Sequence, residues 1–457
     1  MTRTIGAVLL VLFPGFLAAQ QQVVARSAVL NHVTVINPTG APPQGDMAVV
    51  ITGNRITAIG RAGGVRVPSG AQIIEASGKF VIPGLADMHH HLESGFSLPG
   101  PPAPGREAPS DVWKRNLAQM LGWGFTTIFS TGMELKDFTR LRDAASDDAA
   151  ALPRFFGVGR AITVKGGHAS EPNFGSYLPD APDEARAYVR DLKLAGADTI
   201  KFIYDDRARG GRPPVPVMKA EVMQAIIAEA HIQGLRAYVH APNLHQAKDA
   251  LRAGADGLVH AVVNAPVDDE FIGLMKKNRA VYITTHSLFN AFADVAAWVR
   301  RLEALDERGV VPKDVYERFK SPEGVKRYYS VYGVVTKDQL QFLANNARRV
   351  FDAGILVVAG TDTTVSGVLL GPSSQMELVL LVESGLTTTE ALRTATLNAA
   401  TMLGREKDLG TVETAKLADL VVLDANPLAD IRNIRKVHRV IKGGVIYDPA
   451  QVLAGNR

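Results

Sequence analysis

Between Val81 and Asp362 the chain alternates short apolar runs with longer stretches of helical periodicity, and no other feature limits its fold as strongly. Runs that predict strands cover residues 81–88, 125–131, 154–163, 199–205, 236–241, 257–262, 280–287 and 356–362. Helical patterning lies between them, as at 183–195, 219–233, 244–253 and 336–353. Gly196, Gly234, Gly254 and Gly354 follow such stretches as helix stops. Strands joined by helical crossovers predict an α/β protein with parallel strands, and this number of them predicts a (β/α)8 TIM-like barrel. The Pro/Gly-rich stretch at 97–110 follows the first strand, where a barrel carries a loop of its functional face. Residues 298–335 form a helix-prone insert before the last strand.

The two ends have another texture. Residues 28–83 and 418–448 alternate apolar and polar positions between Gly, Asn and Pro turns. They predict one small composite β-sandwich domain from both termini, with parts at 28–83 and 406–457 around a barrel at 84–405. Residues 1–22 combine Arg3, an apolar stretch at 5–17 and Ala18-Ala19, the pattern of a secretory signal peptide over 1–19. Export to the periplasm or the extracellular space is therefore expected. The stretch is short for a bilayer span, and no other apolar run is long enough, so no membrane partner is expected after signal cleavage. The 457 residues include no cysteine, which excludes disulfides, thiolate metal sites and a cysteine nucleophile. Fifty basic side chains against 46 acidic ones, with no basic run, give no electrostatic case for nucleic acid. Homo-oligomerisation stays open.

In such a barrel the polar residues that end apolar strands are the informative ones. The first strand ends VIPGLADMHHHLE. His89 and His91 are two apart and would share one face, where two imidazoles can chelate a metal; His90 would point away and pack. Lys201 lies inside the apolar run TIKFI. A buried lysine is expensive unless paired or modified. It is either salt-bridged or snorkelling, or its amine has reacted with carbon dioxide to become a carboxylate able to hold two cations. The next strands end YVHA with His240 and LVHA with His260, and the last ends AGTD with Asp362. Taken singly each reads as structural, but the ordered set of imidazoles and a carboxylate suits Zn²⁺ and its neighbours.

PGLADMHHH, TIKFI, YVHA, LVHA and AGTD resemble the metal-ligand motifs of the amidohydrolase superfamily, and EALRTATLNAATMLG and ADLVVLDANPL are similar to its C-terminal part. The resemblance spans residues 28–448. Through Gly166-Gly167-His168 it leans to the prolidase and imidazolonepropionase-like branch. It implies that His89, His91 and Asp362 hold one divalent cation and that His240 and His260 hold a second. A carboxylated Lys201 would bridge them, and the metal would be Zn²⁺, with Mn²⁺ or Co²⁺ as substitutes. It further implies a shared hydroxide that attacks a small-molecule substrate's carbonyl, with Asp362 as general base. His168 is implied at the substrate, polarising its carbonyl or contacting its carboxylate, and Tyr204 and His286 are candidates to line the same pocket. Arg207, Arg209 and Arg212 form a solvated loop or a carboxylate clamp. His32, His231, His245 and His438 read as structural. The chain departs from the branch after His168, where a further Gly is missing, and at Gln375, where relatives place His; both positions are expected near the pocket mouth. The reaction expected is cleavage of an amide-type bond in a dipeptide, an N-acyl amino acid or a cyclic amide. Alternatives are a lactone, carbamate or ester hydrolase, an isomerase or deaminase, and a non-catalytic binding protein on the same fold.

Overall fold

A computed structural model describes residues 27–92, 109–208, 212–306 and 308–454. The expected signal peptide at 1–19, most of the stretch at 97–110, and Arg209 lie outside them.

Both termini enter one eight-stranded sheet. Strand Ser27–Val35 runs antiparallel to Gln44–Thr52, which pairs in turn with Arg55–Arg61. Along its other edge the strand takes two short parallel partners, Gln72–Glu75 and then Phe80–Pro83. Phe80–Pro83 pairs with the C-terminal strand Leu420–Leu423, and Val437–Lys442 and Val445–Tyr447 complete the sheet. A register shift between Leu30 and Val33 resets the alternation of side chains. Leu30, Val33 and Val35 therefore share one buried cluster with Val49, Ile51, Leu420 and Val422, while Val29 packs on the opposite face with Ala48 and Val50. The composite origin is as expected. Instead of the two sheets of a sandwich, however, hydrogen bonding joins all these strands in one, because strand Ser27–Val35 pairs along one edge with the equally long Gln44–Thr52 and along the other with two four-residue strands.

The middle of the chain forms two parallel sheets. Leu85–His90, Phe125–Ser130 and Arg154–Gly157 make the first; Ile200–Ile203, Ala237–His240, Gly257–Leu258, Val281–Ile283 and Leu356–Val358 make the second. Helices lie between successive strands, among them Pro182–Leu194, Ala220–Ile232, Leu244–Arg252 and Lys337–Asp352. Thr336 and Gln339 close a reciprocal cap on the last of these. The expected closed ladder is not continuous. Among the described residues, the isolated bridges Ile162↔Phe202 and His90↔Thr363 link the two sheets. The strands are shorter than the apolar runs suggest: the run at 154–163 leaves the sheet after Gly157, and Gly159 turns it with φ +65°. The run at 81–88 is split between the composite sheet and the first parallel sheet. Gly84 is the pivot, since a Cβ there would lie 2.0 Å from Thr126 Oγ1.

Both parallel sheets send side chains to one apolar cluster. Ala86, Met88, Phe129 and Val158 meet Tyr238, Val259, Val281, Ile283 and Val358, with Ala399 and Met402 of helix Leu397–Met402 against them. The polar residues His89, Asp205, His240, His260 and Asp362 all sit at or just beyond the C-terminal ends of these strands. The insert folds as helices Val295–Glu303, Lys313–Lys320 and Pro322–Tyr332.

Candidate metal centre

Five imidazoles form a continuous row: His89 and His91 at the end of one strand, His240 and His260 at or just past the ends of two others, and His168 from a turn. Ring centroids are 5.6 Å apart for His91 and His89, 4.4 Å for His89 and His260, 4.3 Å for His260 and His240, and 4.5 Å for His240 and His168. Asp362 closes on one end. Its Oδ1 lies 3.0 Å from His89 Nε2 and 3.2 Å from His91 Nε2, and its Oδ2 lies 4.0 Å from His260 Nε2. The Asp362 backbone takes φ +64°, and its N–H donates to the His89 carbonyl at 2.8 Å. His89, His91 and Asp362 thus offer ligand atoms within 4.8 Å of one another, and His168, Asp205 and His240 do the same at the other end of the row.

The hydrogen bonds behind the rings decide which nitrogens face inward. His89 Nδ1 is 2.6 Å from the Val259 carbonyl and must carry the proton that donates to it. That leaves an Nε2 lone pair facing a carboxylate oxygen at 3.0 Å, and neither atom has a hydrogen-bond partner. His91 Nδ1 lies 3.3 Å from the Gly132 carbonyl, and its Nε2 faces the same oxygen at 3.2 Å, with Thr131 Oγ1 also 3.2 Å from that nitrogen. His260 Nδ1 is 3.0 Å from Thr285 Oγ1. Two lone pairs aimed at one carboxylate oxygen repel unless a cation lies between them. Neutral imidazoles and an ionised carboxylate are also the forms a divalent metal requires. The donor set therefore fits a metal ion.

Electrostatics point the same way. Burial lowers His89 to about 4 and His240 to about 3, and it holds His260 well below the usual histidine range. Burial alone would raise Asp362, but its contacts with His89, His91 and His260 outweigh that and hold it well below the carboxylate range. Lys201 is buried, and its charge disfavours protonation of His89, His240 and His260.

Other expected residues are distributed as follows. His168 is half-buried, with Nδ1 3.0 Å from Asp205 Oδ2. Tyr204 is half-buried and directly follows strand Ile200–Ile203. His286 is buried and turned to Glu377, with Nδ1 3.4 Å from Oε1. Arg207 lies 3.9 Å from Glu171, and Arg212 is half-buried. His90 is buried, His32 pairs with Asp46, His231 with Asp256 and His438 with Asp424. Gln375 is a correction. It is buried and donates to the Trp123 carbonyl at 2.9 Å, so it braces helix Pro372–Glu383 and does not border a pocket mouth.

Three buried carboxylates escaped the sequence reading. Asp205 receives both His168 and His240. Asp87 accepts from the His89 and Thr361 amides at 3.2 Å and from the Thr361 and Ser374 hydroxyls at 2.6 and 2.7 Å, tying the His89 strand to the Asp362 segment. Burial outweighs these bonds and pushes Asp87 up to about 7. Glu377 accepts from Thr284 Oγ1 at 2.6 Å and from the His286 and Ser287 amides at 2.8 and 2.7 Å. Asp87 had a readable signal, since it lies two positions from the candidate ligand His89 on the same strand. Glu377 had none, lying inside an apolar helix.

Residues 80–447 match the amidohydrolase family. The imidazolonepropionase of Geobacillus kaustophilus is 26% identical over 417 residues, covering 82% of each chain. Adenine deaminase 3 of Rhizobium meliloti is 25% identical over 390 residues, 83% of this chain, which spans about half of that relative's length (51%). Among solved structures, a Xaa-Pro dipeptidase with methionine in its active site superposes with a TM-score of 0.73 at 26% identity, covering 92% of this chain and 100% of the other.

Proposed function

The chain belongs to the amidohydrolase family, and from that premise we propose that it hydrolyses an amide-type carbon–nitrogen bond of a small molecule at a two-cation centre. One observation carries the reading: the His89 and His91 lone pairs converge on a single Asp362 oxygen at 3.0 and 3.2 Å. We read the two parallel sheets as two arcs of one (β/α)8 barrel, supported by their shared apolar interior and by the bridges at Ile162 and His90. His89, His91 and Asp362 would hold the first cation, and His240 and His260 the second. Lys201, carboxylated by CO₂, would bridge them. When bound, zinc, manganese or cobalt ions supply Lewis acidity at a carbonyl and acidify water towards neutral pH.

The chain's own groups supply the rest. Asp362 stays ionised, and Oδ2, the oxygen turned away from His89 and His91, is the one free to take the proton of the attacking water. It then returns that proton to the leaving nitrogen. His168 is half-buried with Nδ1 3.0 Å from Asp205 Oδ2, and it would contact the substrate's carbonyl or carboxylate. Tyr204 borders the same opening. The pattern at residues 1–19 supports export, and no helix of the described residues is long and apolar enough to cross a membrane. The test is a panel of dipeptides, N-acyl amino acids, cyclic amides, lactones and carbamates, run with and without chelator. Turnover of an amide that chelator abolishes and added metal restores supports the reading. Turnover of lactones or carbamates alone replaces the bond, and chelator-resistant turnover refutes the centre.

A further inference from the structure

Asp205 touches two of the imidazoles and a backbone amide, and its role differs from that of Asp362. It is 2% exposed. Its Oδ2 lies 3.0 Å from His168 Nδ1 and 3.2 Å from His240 Nε2, and its Oδ1 accepts the Arg207 amide at 3.1 Å. Arg207 has φ +56°, so this bond fixes the chain at the point where it leaves the strand. At Asp362 the opposite nitrogens of His89 and His91 are already committed to carbonyls, so lone pairs must face the carboxylate. At Asp205 no carbonyl fixes the outer nitrogen of His240, and the carboxylate is the group able to receive a ring N–H. A carboxylate behind a metal-bound imidazole sets its tautomer and aims its free nitrogen.

We infer that Asp205 is a positioning residue: through one oxygen it fixes His240 as the Nε2–H tautomer and His168 as the Nδ1–H tautomer. His240 Nδ1 is thereby presented to the second cation. One carboxylate thus couples a ligand of the proposed metal site to the His168 ring 4.5 Å away. The inference rests on His240 as a ligand of the proposed centre for its consequence, but the tautomers follow from the hydrogen bonds alone.

The test therefore has two arms. In metal-free protein labelled with ¹⁵N-histidine, the ring-nitrogen shifts report each tautomer. Wild type is expected to show Nε2–H at His240 and Nδ1–H at His168. Asp205→Asn is expected to lose both assignments while His89, His91 and His260 keep theirs. In the second arm, Co²⁺ titration of Asp205→Asn is expected to leave the first equivalent unchanged and weaken the second by about 10–100-fold. His168→Ala removes one donor only and should leave His240 as Nε2–H, separating positioning from general destabilisation. Nδ1–H at His240 in wild type, unchanged shifts in Asp205→Asn, or equal disturbance of all five rings overturns the inference. So does loss of one Co²⁺ equivalent in His168→Ala, which would make His168, Asp205 and His240 a ligand set themselves. Absence of any Co²⁺ binding in wild type refutes the proposed centre, while the nitrogen shifts still decide the role of Asp205.

Discussion

Replacing Asp362 by Asn isolates the proposed base with little disturbance of the fold. The residue sits at φ +64°, a conformation that Asn tolerates better than other non-glycine residues. The amide is nearly isosteric, and its oxygen can still face His89 and His91, now 3.0 and 3.2 Å from the carboxylate. What is lost is the negative charge and a site for the transferred proton. Such proton transfer contributes about 10²–10⁴-fold, or about 2.7–5.5 kcal/mol of barrier. Asp362→Asn should therefore lower kcat by that factor, keep part of its metal and unfold within a few degrees of wild type. Steady-state kinetics, metal analysis and thermal unfolding on one preparation check all three. Retention of more than a tenth of kcat would refute Asp362 as the base. Loss of activity together with a collapse in Tm would show the residue to be structural instead.

Lys201→Ala should lower metal content, and short carboxylic acids should restore part of it by replacing the bridge; two tightly held metals in this variant would contradict a bridging lysine. Gly84→Ala should destabilise the protein by about 1–3 kcal/mol, because its new methyl would overlap Thr126; a change within 0.5 kcal/mol in denaturant unfolding would show that the pivot has room. The metal-free protein should lose stability as pH falls from about 6.5 towards 4. Burial keeps His89, His90, His240 and His260 below their free value, so the unfolded chain binds more protons in that window, each worth about 1.36 kcal/mol per pH unit. A flat Tm between pH 6.5 and 4.5 would contradict neutral, buried rings.

The sequence carried the centre further than the fold that holds it. His89, His240, His260 and Asp362 were legible because each interrupts an apolar run where a parallel strand ends, a local signal that survives without knowledge of the partners. Lys201 was legible as a charge in an apolar strand. Asp205 was not, because Asp205-Asp206 reads as the start of a solvated loop, and its burial comes from His168, 37 positions away. Glu377 was hidden in the same way, since its partners lie 90 or more positions earlier. Strand ends were overrun where apolar residues continue past the ladder, as at 158–163. The break at Gly84 was invisible because the clash that requires glycine there comes from Thr126. Long-range pairing also made one sheet of the terminal strands, which local alternation alone could not distinguish from two.

Metal content per chain tests the central claim most directly. Protein expressed without residues 1–19 should carry about two divalent cations after purification in metal-supplemented buffer. His240→Asn should fall to about one, and His89→Asn should lose the first as well as the activity. No bound metal in wild type, and none taken up from added zinc, manganese or cobalt, would contradict the account, because the converging lone pairs of His89, His91 and Asp362 would then need another explanation.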